Sequence, residues 1–329
     1  MLAVVFVVPA RNEAKHIKLC LDSINGQLQT SQEPLNISIV VVDNQSTDQT
    51  AEIAQQCGAR TIEVQPGNAG RARNKGVSES ESDFIAFIDA DCVLPQDWLT
   101  QCLENLLAPG VVAVGAPQAS AQQDATWVER TWVDCITKSS SHTWEAATWL
   151  PAFNLLLRRS DFIAAGQFDE SLQTCEDSDL SFRLSKTGQL RTVQHPRVLH
   201  LGESQTLLEF FQREKWRSHG NFSSAMKRKS VMAEFPSLFL PLGFLFAIAV
   251  ACISSAASPS LNREQQFAVI ACTCLVMLTP VMIALLKGGM SNLIPRSILI
   301  FTYLIARGLG PLMPTKRVAR TPMRAPTQD

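Results

Sequence analysis

Uninterrupted apolar runs of strand length constrain the fold more than any other feature of this chain. Residues 3–8 read AVVFVV, residues 37–43 read ISIVVVD and residues 83–89 read DFIAFID. Helical spacing of apolar side chains separates these runs, as at Ile17 and Leu21. Strands without polar alternation are buried on both faces, so this order predicts an α/β fold with a mostly parallel sheet and helices on both faces.

Acidic residues follow two of these runs. Asp43 ends the second run, and Asp89 and Asp91 stand one residue apart after the third. Ligands of such sheets bind at the carboxyl ends of the strands. Adjacent carboxylates repel each other unless a positive group neutralises them. A hard dication, Mg²⁺ or Mn²⁺, shared with substrate phosphates is the simplest such group.

Phosphate-binding motifs of other folds are missing or weak. The sequence contains no GxxxxGK[ST] motif, which argues against a P-loop. The segment PGNAGRARNKG, residues 66–76, is predicted to be a glycine-rich loop, but it lacks GxGxxG spacing. A dinucleotide-binding fold therefore has little support.

Charge and cysteine content exclude other classes. The formal net charge is -1, so no basic excess points to nucleic acid. Nine scattered cysteines include no CxxC pair, which disfavours a zinc site or a disulfide framework and favours reduced thiols in the cytosol. The apolar start is too short for a signal peptide and is interpreted as the first strand.

The composition changes near residue 235. Residues 235–258 and 265–286 contain no charge, and each stretch is long enough to cross a bilayer. They predict two membrane spans, at about 236–257 and 266–286. A third apolar stretch, residues 293–313, is interrupted by Arg296, Arg307, Pro295 and two glycines. It predicts an interfacial or re-entrant helix.

The basic residues suggest a topology. The KRK at 227–229 precedes the first span, Lys287 follows the second, and a basic tail occupies residues 316–324. Two spans put all of these in the cytoplasm, which predicts a multi-pass inner-membrane protein with a cytoplasmic catalytic domain, residues 1–225, and a membrane region, residues 226–329. A buried helical hairpin in a soluble protein is the alternative.

Five segments carry a family resemblance. VVPARNEAKHI, VVDNQSTDQT, GNAGRARNKG, FIDADC and EDSDLSFRLSKTG occur in this order. Together they resemble a family 2 glycosyltransferase with a GT-A fold, over residues 1 to about 220. The membrane region is similar to that of bacterial members that act at the cytoplasmic face.

The resemblance implies a donor site. The residues that would line the nucleotide sugar are Pro9, Ala10, Arg11, Glu13, Asp43, Asn44, Arg73, Asn74 and Asp89. Asp91 and His200 would bind the metal. Asn44 replaces a second aspartate of many relatives, which bears on the choice of base, expected to be uracil. Asp43 as a helix cap, Arg73 as an ion-paired residue and His200 as a structural histidine are the alternatives.

Carboxylates also cluster at the reacting end. Glu176, Asp177 and Asp179 stand together in EDSD. Resemblance assigns the catalytic base to Asp177, with Glu176 beside it, and implies displacement with inversion. Neighbouring acids raise each other's proton affinity, which suits a base. The same residues also suit a helix N-terminus.

Five further residues are candidates for the acceptor or diphosphate side: Asn154, Arg158, Gln212, Lys215 and Trp216. The last three imitate the QxxRW signature of processive synthases, with lysine in place of arginine. The segment FFQREKWRSHG also suits a membrane interface, and Arg158 also suits an ion pair.

The expected function is transfer of a sugar from a nucleotide diphosphate, a UDP-sugar, to a lipid-linked or envelope-glycan acceptor at the membrane. A nucleotidyltransferase of related fold is a rival, although PARNEAKHI has no glycine. The other alternative is a catalytically silent, membrane-anchored partner protein that binds a nucleotide.

Overall fold

The computed structural model describes residues 2–29, 35–139, 147–227, 235–257 and 262–312. The described residues form strands β1 to β9 at Leu2–Ala10, Leu35–Asp43, Arg60–Glu63, Phe84–Ile88, Cys92–Val93, Val111–Gly115, Asn154–Arg158, Gln189–Thr192 and Leu199–His200. Helices α1 to α12 occupy Ile17–Asn25, Thr50–Gln56, Ala69–Ser78, Trp98–Leu106, Trp127–Ser139, Arg159–Ala164, Glu176–Leu184, Leu207–Ser218, Asn221–Lys227, Phe235–Ala257, Arg263–Gly288 and Leu293–Leu309.

Seven strands form one sheet, and the order is β3-β2-β1-β4-β7-β6-β8. All neighbouring pairs are parallel except those of β7, which runs antiparallel to both β4 and β6. The predicted, mostly parallel α/β sheet is confirmed. The reversed strand was not predicted, because an apolar run such as NLLLR does not show which way its chain runs. A separate two-stranded ribbon joins β5 to β9.

Both faces of the sheet are covered by apolar side chains. In β1, Phe6 points into the core on one face, where its ring centroid lies 6.1 Å from that of Trp98. Val7 points to the opposite face, in the cluster that contains Phe87. All four side chains are fully buried. Continuous apolar strands are therefore required here, because every second residue meets a different layer of helices.

The glycine-rich segment 66–76 is mostly helix, so the prediction of a loop there was wrong. The Asn68 side chain accepts a hydrogen bond from the Arg71 backbone N–H at 2.8 Å and caps α3. Gly76 lets the helix approach the sheet, because a Cβ there would lie 2.4 Å from Val7 Cγ1. The close packing brings one face of α3 to the carboxyl edge of the sheet.

Asn154 and Arg158 support the sheet rather than an acceptor pocket. Asn154 is fully buried, and its amide accepts from Ala116 N–H at 2.6 Å and donates to the Ala116 carbonyl at 3.1 Å. Arg158 pairs with Phe84 at the start of β4, the edge opposite Asp89. Its guanidinium donates to backbone carbonyls of α4 and β6. Asn154 lies beside Ile88 at the carboxyl end of β4, but its amide is occupied by the backbone, and Arg158 lies at the other end of that strand. Their predicted acceptor-side role stays a prediction.

Within the described residues, three segments are long and apolar enough to cross a membrane: Ser237–Ala256, Arg263–Gly288 and Leu293–Leu312. Helices α10, α11 and α12 contact one another, and α12 also packs along α5 and α8 of the preceding domain. The predicted basic tail lies outside the described residues. The domain boundary and the interfacial placement of the third segment stay predictions.

Asn154→Ala should lower the free energy of unfolding by about 1–3 kcal/mol, because both Ala116 backbone groups lose their buried partner. Thermal unfolding in detergent measures the loss. Asn36→Ala removes an exposed amide from β2 and serves as the control, with an expected change within about 0.5 kcal/mol. An unchanged melting temperature for Asn154→Ala would contradict the structural role.

Candidate functional site

An arginine joins the two groups of acids that the sequence analysis singled out. Arg73, on α3, donates through Nη2 to Asp89 Oδ1 at 2.7 Å and through Nη1 to Glu176 Oε1 at 2.9 Å. Its guanidinium lies 5.4 Å from the centre of the Phe168 ring. The bridge places the end of β4 and the start of α7 on opposite sides of one site. Arg73 is therefore a positive group that neutralises Asp89.

The environment of Arg73 is dry and charged. The residue is only 4% exposed. Burial opposes its charge, but Asp89 and Glu176 outweigh burial and raise the pKa of the guanidinium. Its Nε–H is buried and finds no hydrogen-bond partner among the described residues. A buried, unpaired donor costs free energy, which the two charged hydrogen bonds of the same guanidinium offset.

The acids of EDSD begin a helix, as one of the two interpretations of that motif predicted. Glu176 reaches Arg73, whereas Asp179 accepts from Arg183 of the same helix at 2.7 and 2.9 Å. Glu176, Asp177 and Asp179 lie in the first turn of α7. Burial raises the pKa of Asp177 to about 6, with a further contribution from Glu176 and an opposing one from Arg73. A carboxyl group with this pKa ionises near neutral pH while it keeps a useful proton affinity.

The short ribbon positions a second cluster. β5 pairs with β9 so that Cys92 lies opposite His200. This register places His200 Nε2 3.5 Å from Asp91 Oδ1, and the Asp91 side chain is 3% exposed. The two residues predicted to lie on a metal are therefore neighbours, although 109 positions separate them along the chain.

Glu203 belongs to this cluster, and sequence analysis missed it. Its Oε1 lies 3.1 Å from His200 Nδ1 and accepts from Gln118 Nε2 at 3.1 Å. Burial lowers the pKa of His200, but Asp91 and Glu203 outweigh burial and raise it to about 9. Burial in turn opposes the ionised form of Glu203, yet His200 lowers its pKa to about 2. The spacing H-x-x-E was the available signal.

The donor atoms of the cluster fit a divalent cation. Ligand atoms of Asp91, Cys92 and His200 lie within 4.8 Å of one another. Burial raises the pKa of the Cys92 thiol, as do Asp91 and Asp89, so the thiol stays neutral. The remaining donors are the Asp91 carboxylate and the His200 imidazole, which becomes a ligand once a cation displaces its proton. They suit Mn²⁺, and Mg²⁺ with water and phosphate completing its sphere. A carboxylate on the far ring nitrogen is a usual support for a metal-binding histidine.

The predicted nucleotide-binding residues of the first loop lie at the carboxyl edge of the sheet. Pro9 and Ala10 end β1, and Arg11 follows as an exposed residue. Glu13 is buried, and its backbone N–H donates to Thr50 Oγ1 at 2.8 Å. This loop borders the site and leaves the Arg11 side chain available to a ligand.

Asp43 stabilises a turn rather than a helix end. It closes β2, and its carboxylate accepts from the Ser46 backbone N–H at 3.2 Å and from the Ser46 hydroxyl. α2 begins only at Thr50, so Asp43 is not its cap. The turn holds the residues after β2 at the carboxyl edge.

Two predicted donor-site amides are occupied by backbone groups. Asn44 donates to the Gly67 carbonyl at 2.9 Å and accepts from its N–H at 3.1 Å. Asn74 donates to the Phe168 carbonyl at 2.9 Å and accepts from its N–H at 3.1 Å. Both residues hold loops in place around the site. Their amide groups bind the backbone of these loops, and their predicted contact with a nucleotide stays a prediction.

Gln212, Lys215 and Trp216 lie on α8 and are all half-buried. Gln212 and Trp216 are one helical turn apart and share a face of the helix. α8 packs along α12, so the segment stands between the catalytic domain and the membrane region. Their predicted acceptor-side role stays a prediction.

Known proteins resemble this chain in sequence. The family model described as Glycosyl transferase family 2 matches residues 5–168. Succinoglycan biosynthesis protein ExoA of Rhizobium meliloti (strain 1021) is 32% identical over 194 residues, which cover 55% of this chain and 58% of that protein. Glycosyltransferase AglE of Haloferax volcanii is 33% identical over 115 residues, which cover 33% of this chain and 37% of that protein. The chain thus matches less than two thirds of either relative.

A solved structure has the same fold. Mannosyltransferase PcManGT from Pyrobaculum calidifontis, in complex with GDP-Man and Mn²⁺, superposes with a TM-score of 0.65 at 19% identity. The superposition covers 94% of this chain and 86% of that chain. At this identity the likeness shows the GT-A fold and nothing finer.

Glu203→Gln should weaken Mn²⁺ binding about 10-fold or more, because His200 loses the carboxylate that orients it. Titration of the free Mn²⁺ signal by electron paramagnetic resonance measures the affinity without any substrate. Glu104→Gln removes the same charge from an exposed position on α4 and should leave the affinity unchanged. Equal Mn²⁺ affinity in the two variants would contradict the support given by Glu203.

Proposed function

Because this chain belongs to glycosyl transferase family 2 through residues 5–168, we propose that it transfers a sugar from a nucleotide diphosphate donor by direct displacement with inversion. The proposed donor is a UDP-sugar, with Mn²⁺ or Mg²⁺ as cofactor. The proposed acceptor is a lipid-linked or envelope-glycan hydroxyl. The catalytic domain faces the cytoplasm beside the inner membrane.

One observation carries this proposal. The Arg73 guanidinium joins Asp89 and Glu176 at 2.7 and 2.9 Å, so the acids of β4 and the acids of α7 border one space. Transfer needs a site for the departing diphosphate and a base for the attacking hydroxyl, held in line with each other. The bridge supports the presence of both on opposite walls.

The residues divide the chemistry between them. Asp177 accepts the proton of the acceptor hydroxyl as that oxygen attacks the anomeric carbon. Arg73 pairs with Asp89 on one side and with Glu176 on the other, and so holds these two carboxylates in place around the donor. Asp91 and His200 would hold the cation, which supplies neutralisation of charge on the leaving diphosphate when it is bound.

The membrane region supports the proposed acceptor class. Three apolar segments follow the catalytic domain, and α12 lies directly against α8. An acceptor anchored in the bilayer would reach the site at this side of the domain. A soluble acceptor would gain nothing from this arrangement, which is why we propose a lipid-linked one.

Asp177→Asn should lower kcat about 10²- to 10⁴-fold, because the amide cannot accept the acceptor's proton. Release of nucleotide diphosphate from UDP-glucose, UDP-galactose, UDP-N-acetylglucosamine and GDP-mannose, in detergent with Mn²⁺, identifies the donor and measures turnover. GDP-mannose is included because PcManGT is in complex with it.

The variant should keep Mn²⁺-dependent binding of UDP, which calorimetry measures. Wild-type turnover in Asp177→Asn would contradict the assignment of Asp177 as the base. A wild-type protein that binds UDP but releases no diphosphate from any donor would instead indicate a silent nucleotide-binding partner. Release of pyrophosphate from a nucleoside triphosphate would indicate a nucleotidyltransferase.

The pH dependence of kcat/KM should show an acid limb at about pH 6. Asp177 must be ionised to act, and its pKa is raised to about 6, so the rate falls as pH drops through this value and is level above it. Glu176→Gln removes the neighbouring carboxylate that raises this pKa and should move the limb to lower pH. A profile without a limb between about pH 5 and 8 would contradict the assignment.

A further inference from the structure

A fully buried carboxylate in α8 links the membrane region to the catalytic domain. Glu214 is 0% exposed, and its Oε1 accepts from Arg217 Nη1 at 2.8 Å. Its Oε2 accepts from Nε of Arg307, a residue of α12, also at 2.8 Å. Removing one partner of a buried ionic group leaves charge uncompensated. The ion pair of Arg307 with Glu214 therefore fixes the position of α12 against α8.

The end of α8 contacts the chain just before α7. The Thr174 hydroxyl donates to the Arg217 carbonyl at 3.2 Å and accepts from the Gly220 N–H at 3.0 Å. A Cβ at Gly220 would lie 2.1 Å from Thr174 Oγ1. Only glycine permits this approach, so Thr174 has no room to move independently of α8.

Asn221 adds a direct link from Arg307. In the amide orientation that satisfies both of its polar atoms, Asn221 accepts from Arg307 Nη1 at 2.9 Å and donates to the Arg217 carbonyl at 3.2 Å. In this orientation the amide nitrogen is the atom that faces Cys175 Sγ, at 2.9 Å. A single side chain thus separates Arg307 from Cys175.

Cys175 determines how α7 begins. Its φ is 65°, in the left-handed region, and its carbonyl accepts the helical hydrogen bond from Asp179 N–H at 3.0 Å. For a residue other than glycine this conformation is costly and persists only where neighbours hold it. Thr174 and Asn221 are such neighbours. Glu176 and Asp177 follow immediately, so their direction depends on this turn.

We propose that Arg307 is a positioning residue for Asp177. It acts through Glu214 and Asn221, which hold the turn at Cys175 that aims the first residues of α7. The inference rests on the proposed role of Asp177 as base. It makes α12 part of the catalytic apparatus, since the transfer step depends on how this helix is seated.

Arg307→Gln in the full chain should lower kcat about 10- to 100-fold, because small displacements of a catalytic group have such effects. KM for the donor identified above should change less than about twofold, since the donor side of the site is untouched. Release of nucleotide diphosphate in detergent measures both.

Arg296→Gln is the matched control. Arg296 lies on the same helix and is 1% exposed, but it donates to the carbonyls of Ala284 in α11 and of Gly289 just after α11, at 3.2 and 3.3 Å, rather than to α8. It should lower the melting temperature while kcat stays at the wild-type value. Equal losses of kcat in the two variants would overturn the inference, because general loosening of α12 would then explain them.

Thr174→Val tests the connection between α8 and the turn at Cys175 at the end next to α7. It also serves as the test of the inference if Arg307→Gln does not fold. The nearly isosteric change replaces the hydroxyl with a methyl group and removes both hydrogen bonds of Thr174 Oγ1. The expected loss is again in kcat and not in KM. Wild-type kcat in Thr174→Val would overturn the inference. Turnover retained by Asp177→Asn would contradict the proposed function itself, so the two failures are distinguishable.

Discussion

The ion bridge from Asp89 through Arg73 to Glu176 is the interaction on which the site depends. Two groups of acids converge at one sheet edge, and they could not share it without a positive charge between them. Arg73 supplies that charge from α3, whose packing requires glycine at position 76. The proposed donor side and the proposed base side are thus joined by one buried guanidinium.

Polar residues around this bridge serve two purposes. Asn44 and Asn74 bind backbone groups of the loops that flank the site, and Asn154 binds Ala116 inside the sheet. His200 and Glu203 instead support a place where a cation fits, beside Asp91. Buried amides at a sheet edge satisfy the irregular backbone that shapes a pocket, so proximity to a site does not make them ligands.

The membrane region is more than an appendage in this architecture. α12 contacts α5 and α8 through the apolar cluster of Val128, Phe210 and Leu299, and Arg307 enters the ion pair with Glu214. Charged side chains of apolar helices usually face protein and pair there, and Arg307 does so with a residue of the preceding domain. The end of α12 is therefore bound to that domain by an ion pair as well as by apolar contacts.

The sequence by itself determined the α/β sheet, the apolar C-terminal segments and the identity of the acids at the strand ends. These follow from periodicity, charge-free length and motif order, all of which are local properties. Only the tertiary structure decided that β7 runs antiparallel to its neighbours, which places Arg158 at the edge of the sheet opposite Asp89. It also decided that Glu203 supports His200 and that Arg307 reaches α8. Those outcomes depend on contacts between residues remote along the chain, and such contacts leave no local pattern.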